Sequence, residues 1–244
     1  GKNGKMEIIE APFPVLNSGQ ILVRNHYSII SAGTEGKTVS DARKGYIAKA
    51  KSRKKEVNQV VQMIKQSGIK STYKFVMNKL DAPSPLGYSC AGEIIGVSEG
   101  VKNFKVGDFV ACGGKGAYHA DVIAVSENLA VKVPKKIDLK YASLATIASI
   151  AIQGIRQSNI KLGENCVVIG MGLIGQLTYK LIESAGGFPV GVDISTEQVN
   201  FVKNIGLKNV FERNSNDLKS FINSKSDGNG FDSVIITAAT NSHD

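Results

Sequence analysis

The stretch from Cys166 to Asp193 constrains the fold of this chain more than any other part of the sequence. It opens with the uncharged apolar run 167–169, which is typical of a strand buried on both faces. Three glycines in the pattern G-x-G-x-x-G follow at once, and a helical repeat of apolar residues comes next. A second apolar run then ends in Asp193. This order predicts a β-α-β unit of a doubly wound parallel sheet.

The three glycines have separate roles in such a unit. Gly170 permits the tight turn, Gly172 lets the backbone approach a pyrophosphate, and Gly175 lets the helix pack close to the strand. The helix N-terminus, at Leu173 and Ile174, would face the phosphate charge. Because strand, helix, second strand and terminal acid are all present, the stretch predicts dinucleotide binding rather than a glycine-rich turn before an ordinary helix.

Asp193 indicates which dinucleotide is bound. Its carboxylate would accept hydrogen bonds from the 2′- and 3′-hydroxyls of the adenosine ribose and would repel a 2′-phosphate. Residues 194–197 contain no Arg or Lys to neutralise such a phosphate. NAD is therefore predicted in preference to NADP. Thr237, at the end of a strand predicted over 231–237, completes the predicted cofactor-binding residues.

Composition is that of a globular protein without a disulfide framework. The 244 residues are 42% hydrophobic, enough for one large domain or two ordinary ones. Cys90, Cys112 and Cys166 stand alone in the sequence, which predicts neither a disulfide framework nor a four-cysteine zinc site. The longest uncharged run, 141–155, is too short and too polar to span a bilayer, and no signal peptide opens the chain. We therefore expect a cytoplasmic protein without a membrane span.

The net charge of +9 is concentrated in one segment. Lys and Arg dominate between Lys37 and Lys79, where the acids are Asp41 and Glu56. Apolar residues recur there at helical spacing, which predicts a basic insertion of two or three helices over about 35–82. Its charged face is by default solvated, and an anionic substrate or a neighbouring module is the alternative. Nucleic acid is not expected, because aromatic residues are not interleaved with the charges.

Short β-type segments flank this insertion. Residues 5–30 and 85–134 carry runs of β-branched residues separated by Gly, Pro and Asn, which predicts a small β-barrel. His26 and His119 are predicted to lie in strands of this region, and a single strand histidine more often packs than catalyses. His243 lies near the end of the chain, so the three histidines share no local metal-ligand spacing.

The order of barrel and dinucleotide-binding unit resembles the medium-chain dehydrogenase/reductase superfamily. The matching phrases are ILVRNHYSIISAGTE, PLGYSCAGEIIGVSEGVKNFKVGDFVA, LAVKVP and ENCVVIGMGLIGQ. The resemblance implies an α/β plus β architecture: a GroES-like β-barrel domain over 1–143 that carries the helical insertion, then an NAD-binding Rossmann domain over 144–244. It also implies that the Rossmann domain is incomplete, since family members continue for two more strands.

The resemblance further implies a catalytic pocket without metal. In the zinc-dependent alcohol dehydrogenases a cysteine stands where this chain has Ser31, and histidine and glutamate stand where it has Tyr88 and Ser89. The third ligand falls near Thr146. Hydroxyl groups do not hold Zn²⁺ as thiolates and imidazoles do. No zinc is therefore expected.

The function implied is a zinc-independent, NAD-dependent oxidoreductase acting on a small-molecule substrate, with a sugar or sugar derivative as one candidate. Hydride would pass between the nicotinamide and a carbonyl or carbinol carbon in the cleft between the two domains. Tyr88 is predicted to donate a proton or hydrogen bond to the substrate oxygen, with Ser31, Thr34 and Ser89 around the same pocket. The alternative role for Tyr88 and Ser31 is to fill the space of the absent metal.

Two other functions stay open at this point. One is reduction of an activated C=C bond, as in the quinone and enoyl reductases of the same superfamily. The other is a cofactor-binding module without catalysis of its own. The phrase SAGTEGKTVSDARKGY with its basic insertion also resembles the zinc-free N-terminal modules of two-module bacterial oxidoreductases. That resemblance implies a fused second oxidoreductase module as a partner, and a homodimer is a further expectation.

Overall fold

The computed structural model describes residues 5–43, 84–226 and 230–238, with positions 60, 62–64, 66, 68–69, 71–73 and 76 between the first two ranges. Two compact units divide the chain, Gly1–Ser143 and Leu144–Asp244. Part of the predicted helical insertion is described: helix α1 spans Ala32–Arg43, and most of the described positions between 60 and 76 are helical. The remainder of the insertion, with its lysine-rich run, lies outside the described residues.

The first unit is built on an antiparallel sheet of five strands in the order β4-β1-β2-β3-β5. The strands are β1 (Gln20–Ser28), β2 (Ser89–Val97), β3 (Phe109–Gly113), β4 (Val122–Ser126) and β5 (Ala130–Lys132). A 3₁₀ turn, Glu127–Leu129, joins β4 to β5, and the short helix α2 (Leu139–Ala142) follows β5. Ile21, Val23 and Ile94 are fully buried in its core. Closure of this sheet into a barrel stays a prediction.

The pairing of β1 with β2 is irregular near the end of β1. The register shifts between Asn25 and Tyr27, so His26 is the extra residue of a bulge. Gly92 lies opposite this point, and any Cβ there would collide with the carbonyl oxygen of Arg24. The bulge turns the last residues of β1 out of the regular pleat, and Ser28 is exposed at the strand end.

The second unit is a parallel sheet of four strands in the order β8-β7-β6-β9. Its elements are α3 (Ala145–Ser158), β6 (Asn165–Ile169), α4 (Leu173–Ser184), β7 (Phe188–Asp193), α5 (Thr196–Asn204), β8 (Val210–Glu212), α6 (Asn216–Ser226) and β9 (Ser233–Ile236). The strand order reverses between β6 and β9, and ligands of such sheets bind where the order reverses.

Helices cover both faces of this parallel sheet. Successive residues of β6 point to opposite faces, so Val168 packs in one cluster with Tyr179 of α4 and Val202 of α5. Val167 packs in a second cluster with Leu218 of α6. Strands buried on both faces explain the continuous apolar runs in the sequence, and the doubly wound arrangement is observed directly.

One sequence prediction in the first unit is wrong. His119 does not lie in a strand but in a bend before β4, because β4 begins only at Val122. Cys90 and Cys112, which stand alone in the sequence, lie opposite each other in the β2–β3 register, both buried and neither in a disulfide. A hydrogen bond between the two sulfurs, together with burial, raises the pKa of Cys112. His243 lies outside the described residues.

Across the described parts of the chain, none of the helices combines the length and the apolar character that crossing a bilayer requires.

Candidate functional site

The glycine-rich loop between β6 and α4 is held by close backbone packing. Gly170 has φ +93°, a conformation that favours glycine, and its N–H donates to the carbonyl of Val192 at 2.7 Å. A Cβ on Gly170 would come within 2.8 Å of the Cβ of Ala238, and one on Gly175 would collide with the carbonyl oxygen of Gly170. Both glycines are therefore needed for the loop to close against α4 and the residues after β9.

Thr237 stabilises the same loop. Its hydroxyl donates to the carbonyl oxygen of Gly170 at 2.6 Å, with the carbonyl of Ile169 at 3.1 Å. A cavity of about 340 Å³ lies beside it, lined by Ile174 of α4, Thr237 and residues of α3. Two residues predicted to contact a cofactor thus border one cavity at the carboxyl end of β9.

Gly172 differs from the other two glycines of the motif. It is the N-cap of α4, with φ −68°, and no atom would lie within 4 Å of a Cβ placed on it. No side chain caps α4 here. The helix begins at Leu173 and Ile174, next to the open space at Gly172. Backbone N–H groups facing open space at a helix N-terminus are the arrangement that binds phosphate.

Asp193 is fixed by backbone N–H groups on two sides. One carboxylate oxygen accepts from Met171 N at 2.7 Å, and the other accepts from Ser195 N at 2.9 Å. The carbonyl of Met171 in turn accepts from the side chains of Gln198, at 2.6 Å, and Gln176, at 2.9 Å. Asp193 therefore positions the loop as well as standing at the end of β7.

The network around Met171 has little local signal in the sequence. The Met171 side chain is fully buried, and a Cβ on Gly191 of β7 would come within 2.6 Å of its sulfur. The small residue at 191 makes room for it. A glycine inside an apolar strand is a signal of close approach, but it does not name the side chain that approaches.

The backbone of a basic residue also contacts Asp193. Arg213 follows β8, its N–H donates to the carbonyl oxygen of Asp193 at 2.9 Å, and its side chain is exposed. Residues 194–197 contain no such cation, so reasoning confined to the sequence neighbours of Asp193 missed Arg213.

The first unit holds a separate chain of polar side chains. The Nε2 atom of His119 lies 2.9 Å from a carboxylate oxygen of Glu35, and its Nδ1 atom lies 2.9 Å from the Ser28 hydroxyl. The second carboxylate oxygen of Glu35 accepts from Ser31 N at 3.0 Å. The Glu35 side chain is 10% exposed and that of His119 is 24% exposed, so the pair is mostly shielded from water.

Several contacts hold the backbone at His119. The backbone N–H of His119 donates to the carbonyl of Leu86 at 2.8 Å. The segment packs on Gly87, where φ is +97° and a Cβ would come within 2.6 Å of His119 N. The Asn25 side chain donates to the carbonyls on either side of His119, those of Tyr118 and Ala120. The bend is thus tied both to β1 and to the segment that leads into β2.

The predicted catalytic residues are placed as follows. Ser31 is buried, and its hydroxyl donates to Thr34 at 3.4 Å, next to the Glu35 carboxylate. Tyr88 is half-buried, and its carbonyl accepts from Gly114 N. Ser89 is buried, and its hydroxyl donates to the Ser143 carbonyl at 2.6 Å. The Ser89 hydroxyl is therefore engaged within the fold.

Sequence reasoning missed Glu35 and His119. Glu35 lies one helical turn after Ser31 in the first turn of α1, which is a usable local signal. His119 lies far away in sequence and joins Glu35 only through the tertiary fold. His26, on β1, lies edge-on to the ring of Phe109 with centroids 6.1 Å apart, which is a packing arrangement.

The donor atoms near the predicted metal-ligand positions do not form a zinc site. Within the described ranges, no group of three or more His, Cys, Asp or Glu side chains could hold a metal ion. Ser31, Tyr88 and Ser89 offer hydroxyls, and Glu35 and His119 are hydrogen-bonded to each other. The residues present therefore do not fit the zinc of the alcohol dehydrogenases.

The curated relatives that share sequence with this chain include two named dehydrogenases. (R,R)-butanediol dehydrogenase of Bacillus subtilis is 29% identical over 150 residues, which are 51% of this chain and 43% of the relative. The 2-dehydro-3-deoxy-L-galactonate 5-dehydrogenase of Pseudoalteromonas atlantica is 26% identical over 191 residues, 67% of this chain and 56% of the relative. The chain spans about half the length of the curated relatives it matches.

Solved structures with the same fold include 2R,3R-butanediol dehydrogenase from Bacillus subtilis, with a TM-score of 0.68 and 19% identity over 96% of this chain and 68% of that one. The quinone oxidoreductase from Coxiella burnetii has a TM-score of 0.62 and 20% identity over 88% of this chain and 60% of that one. At these identities the likeness establishes the fold. No protein-family model matches the chain.

The homologues and structural neighbours of the chain are oxidoreductases of the medium-chain dehydrogenase/alcohol dehydrogenase superfamily, and the named sequence relatives are dehydrogenases. The superfamily resemblance drawn from the sequence phrases is confirmed at this level. The narrower resemblance to one module of a two-module oxidoreductase stays a prediction.

Proposed function

We propose that this chain is the GroES-like and NAD-binding part of a zinc-independent oxidoreductase that moves hydride between nicotinamide and a carbonyl or carbinol carbon. The observation that carries the proposal is the loop 170–175, in which two glycines are closed by backbone packing while Gly172 faces open space. The N–H groups of Gly170 and Met171 are bound by Val192 and Asp193, so those at the start of α4 are the ones that a pyrophosphate would contact.

Asp193 supports NAD rather than NADP. Its carboxylate is held in place by two backbone N–H groups, so a ribose with free hydroxyls can approach a fixed acceptor. A 2′-phosphate at the same place would meet like charge, which disfavours it. Arg213 contacts Asp193 through its backbone N–H, and its guanidinium would reduce this discrimination by pairing with a 2′-phosphate.

The donor chemistry of the first unit supports a reaction without zinc. A bound NAD would accept the hydride with its electron pair. The substrate oxygen then needs a hydrogen-bond donor or a base from the protein, since the groups at the ligand positions are hydroxyls. We propose Tyr88 as the donor, with Ser31, Thr34 and Ser89 as the other hydroxyl residues of the pocket.

The substrate class follows from the relatives by analogy alone. The relatives are named as dehydrogenases of butanediol and of 2-dehydro-3-deoxy-L-galactonate, which supports a small hydroxylated substrate over an activated C=C bond. A cytoplasmic location, a fused oxidoreductase module, a homodimer and the absence of nucleic-acid binding stay predictions.

Calorimetric titration of the full-length protein with NADH and NADPH tests the proposal. We expect NADH to bind at least about tenfold more tightly, corresponding to about 1.4 kcal/mol. Arg213→Ala is the matched variant: it should weaken NADPH binding and leave the NADH affinity unchanged. Equal affinities in the wild type, or tighter binding of NADPH, would overturn the assignment of NAD.

Zinc is tested on the same material by elemental analysis. We expect no stoichiometric zinc, because hydroxyls occupy the ligand positions at Ser31, Tyr88 and Ser89. One zinc per chain would show that these positions do not correspond to the metal ligands of the alcohol dehydrogenases.

A further inference from the structure

The hydrogen-bonded series Ser28–His119–Glu35 has the organisation of a proton relay. A hydroxyl contacts one nitrogen of an imidazole, and a carboxylate contacts the other, each at 2.9 Å. A base positioned by a third group is the arrangement that activates hydroxyls in unrelated enzymes. The three residues come from β1, from the bend before β4 and from α1, so only the fold brings them together.

The exposure of the three residues increases along the series from Glu35 to Ser28. The Glu35 side chain is 10% exposed and has a further hydrogen bond from Ser31 N, so it is the inner end. His119 is 24% exposed and is anchored by its own backbone. Ser28, at the end of β1, is exposed and is the outer end where a proton can be exchanged.

We propose that Ser28, His119 and Glu35 move the proton that accompanies hydride transfer, an inference that rests on the proposed function. In the oxidation direction, with NAD held at the loop 170–175, hydride would leave the carbinol carbon with its electron pair for the nicotinamide, and the carbinol O–H would give its proton to Ser28 Oγ. Ser28 gives its own proton to His119 Nδ1, and the Glu35 carboxylate stabilises the imidazolium that forms. The proton then returns through Ser28 to water, so NADH, a carbonyl compound and one proton are the products.

The proposal requires one tautomer of the neutral ring. His119 Nε2 must carry the proton that is donated to Glu35, because only then is Nδ1 free to accept from Ser28. If Nδ1 carries the proton, His119 donates to Ser28 and cannot take its proton. In that case the series is a structural hydrogen-bond network.

Nuclear magnetic resonance of the full-length protein tests the tautomer without any substrate. Histidines are labelled with ¹⁵N, His119 is assigned by its loss in His119→Gln, and long-range ¹H–¹⁵N spectra are recorded near pH 8. We expect a protonated Nε2 and an unprotonated Nδ1, and Ser28→Ala should keep that state, because Glu35 sets it. A ring protonated at Nδ1 overturns the relay.

Turnover is then measured with 2,3-butanediol and NAD as the probe reaction. General acid–base groups typically contribute about 10²–10⁴-fold, so we expect Ser28→Ala and His119→Gln each to lower kcat by at least about 10²-fold. Glu35→Gln should be similarly slow and Glu35→Asp partly restored, because the shorter acid retains the charge. His26→Gln, also on β1 but packed on Phe109, is the matched control and should retain wild-type kcat.

The two proposals fail differently. If calorimetry shows no NADH binding, the proposed function fails, whatever the tautomer of His119. If NADH binds and 2,3-butanediol is oxidised, but His119→Gln and Glu35→Gln retain kcat within about threefold, the relay is wrong and the proposed function stands. An unchanged urea unfolding transition in Glu35→Gln shows that a loss of kcat does not arise from misfolding.

Discussion

The two units position their functional groups in opposite ways. In the parallel-sheet unit the candidate site is backbone: glycines, a helix N-terminus and one carboxylate that is bound by the N–H groups of Met171 and Ser195. In the antiparallel unit it is a series of side chains from β1, α1 and the bend at His119. The first kind of site depends on residues close together in sequence, and the second depends on strand pairing across most of the unit.

This difference separates what substitutions should do. A change in the backbone site should act through the shape of the loop, so its effect depends on whether a Cβ has room. A change in the side-chain site should act through chemistry, while the sheet beneath it stays folded.

Within the glycine motif, the largest expected effect is on stability. Gly175→Ala places a Cβ against the carbonyl oxygen of Gly170, which is backbone and cannot move aside easily. We expect a loss of about 3 kcal/mol in the free energy of unfolding, measured by urea denaturation of the full-length protein. Gly172→Ala is the matched control, because its Cβ meets open space at φ −68°.

Gly172→Ala should keep the free energy of unfolding within about 0.5 kcal/mol of the wild type. It should weaken NADH binding by about tenfold or more, since the methyl enters the space through which the pyrophosphate approaches. Equal destabilisation by the two variants would contradict the view that only Gly175 packs closely. Wild-type NADH affinity in Gly172→Ala would contradict the phosphate site itself.

Tyr88→Phe tests the donor proposed in the antiparallel unit. The ring and its packing are retained while the hydroxyl is lost, so stability should change little and turnover of 2,3-butanediol should fall by about 10²-fold. Tyr88→Phe removes the proposed hydrogen-bond donor to the substrate oxygen, and His119→Gln removes the proposed proton relay. Each variant should slow the reaction. Near-native turnover of Tyr88→Phe would contradict the donor role and support the alternative, in which Tyr88 only fills space.

Ser89→Ala should act on stability rather than on chemistry. The buried hydroxyl donates to the Ser143 carbonyl at 2.6 Å, and removing it leaves a buried acceptor unpaired. We expect a loss of about 2 kcal/mol in thermal or urea unfolding. Ser18→Ala, which removes a 3.5 Å bond to Glu99 at the surface, should cost less than about 0.5 kcal/mol. Unchanged stability with lost turnover would instead support a catalytic Ser89.

The smallest expected effect concerns acid stability. Lys132 Nζ lies 2.8 Å from Asp108 Oδ2, and Lys105 N donates to the same oxygen at 3.0 Å. These hydrogen bonds, that of Lys132 first, lower the pKa of Asp108 below its ordinary value of 3.8. A carboxyl with a lowered pKa stabilises the fold above the unfolded-state pKa, and this contribution is lost as pH falls through the folded value.

Asp108→Asn should therefore reduce the fall in Tm between about pH 5 and pH 3 and leave a slightly lower Tm near neutrality. Asp121→Asn, an exposed acid of the same unit, is the control and should keep the wild-type pH dependence. A Tm profile of Asp108→Asn that overlays the wild type would show that the Lys132–Asp108 pair contributes nothing to stability.

By itself the sequence determined the parallel-sheet unit almost completely. The apolar run at 167–169, the glycine spacing and Asp193 lie within one β-α-β unit, so the rules of local turn and helix geometry apply directly. The strand predicted over 231–237 is observed as β9, Ser233–Ile236. What local rules could not supply was the network at Met171, because Gln176 and Gln198 contact its carbonyl from different helices.

Only the tertiary structure decided the antiparallel unit's site. Ser28 and His119, and equally Glu35 and His119, are far apart in sequence, and no periodicity relates them. Their meeting depends on the bulge at His26, on the pairing of β1 with β4, and on the φ +97° turn at Gly87 against which His119 packs. Strand pairing is a long-range choice made by burial over the whole sheet, and so the polar contacts that it creates cannot be derived from residues near one another in the chain.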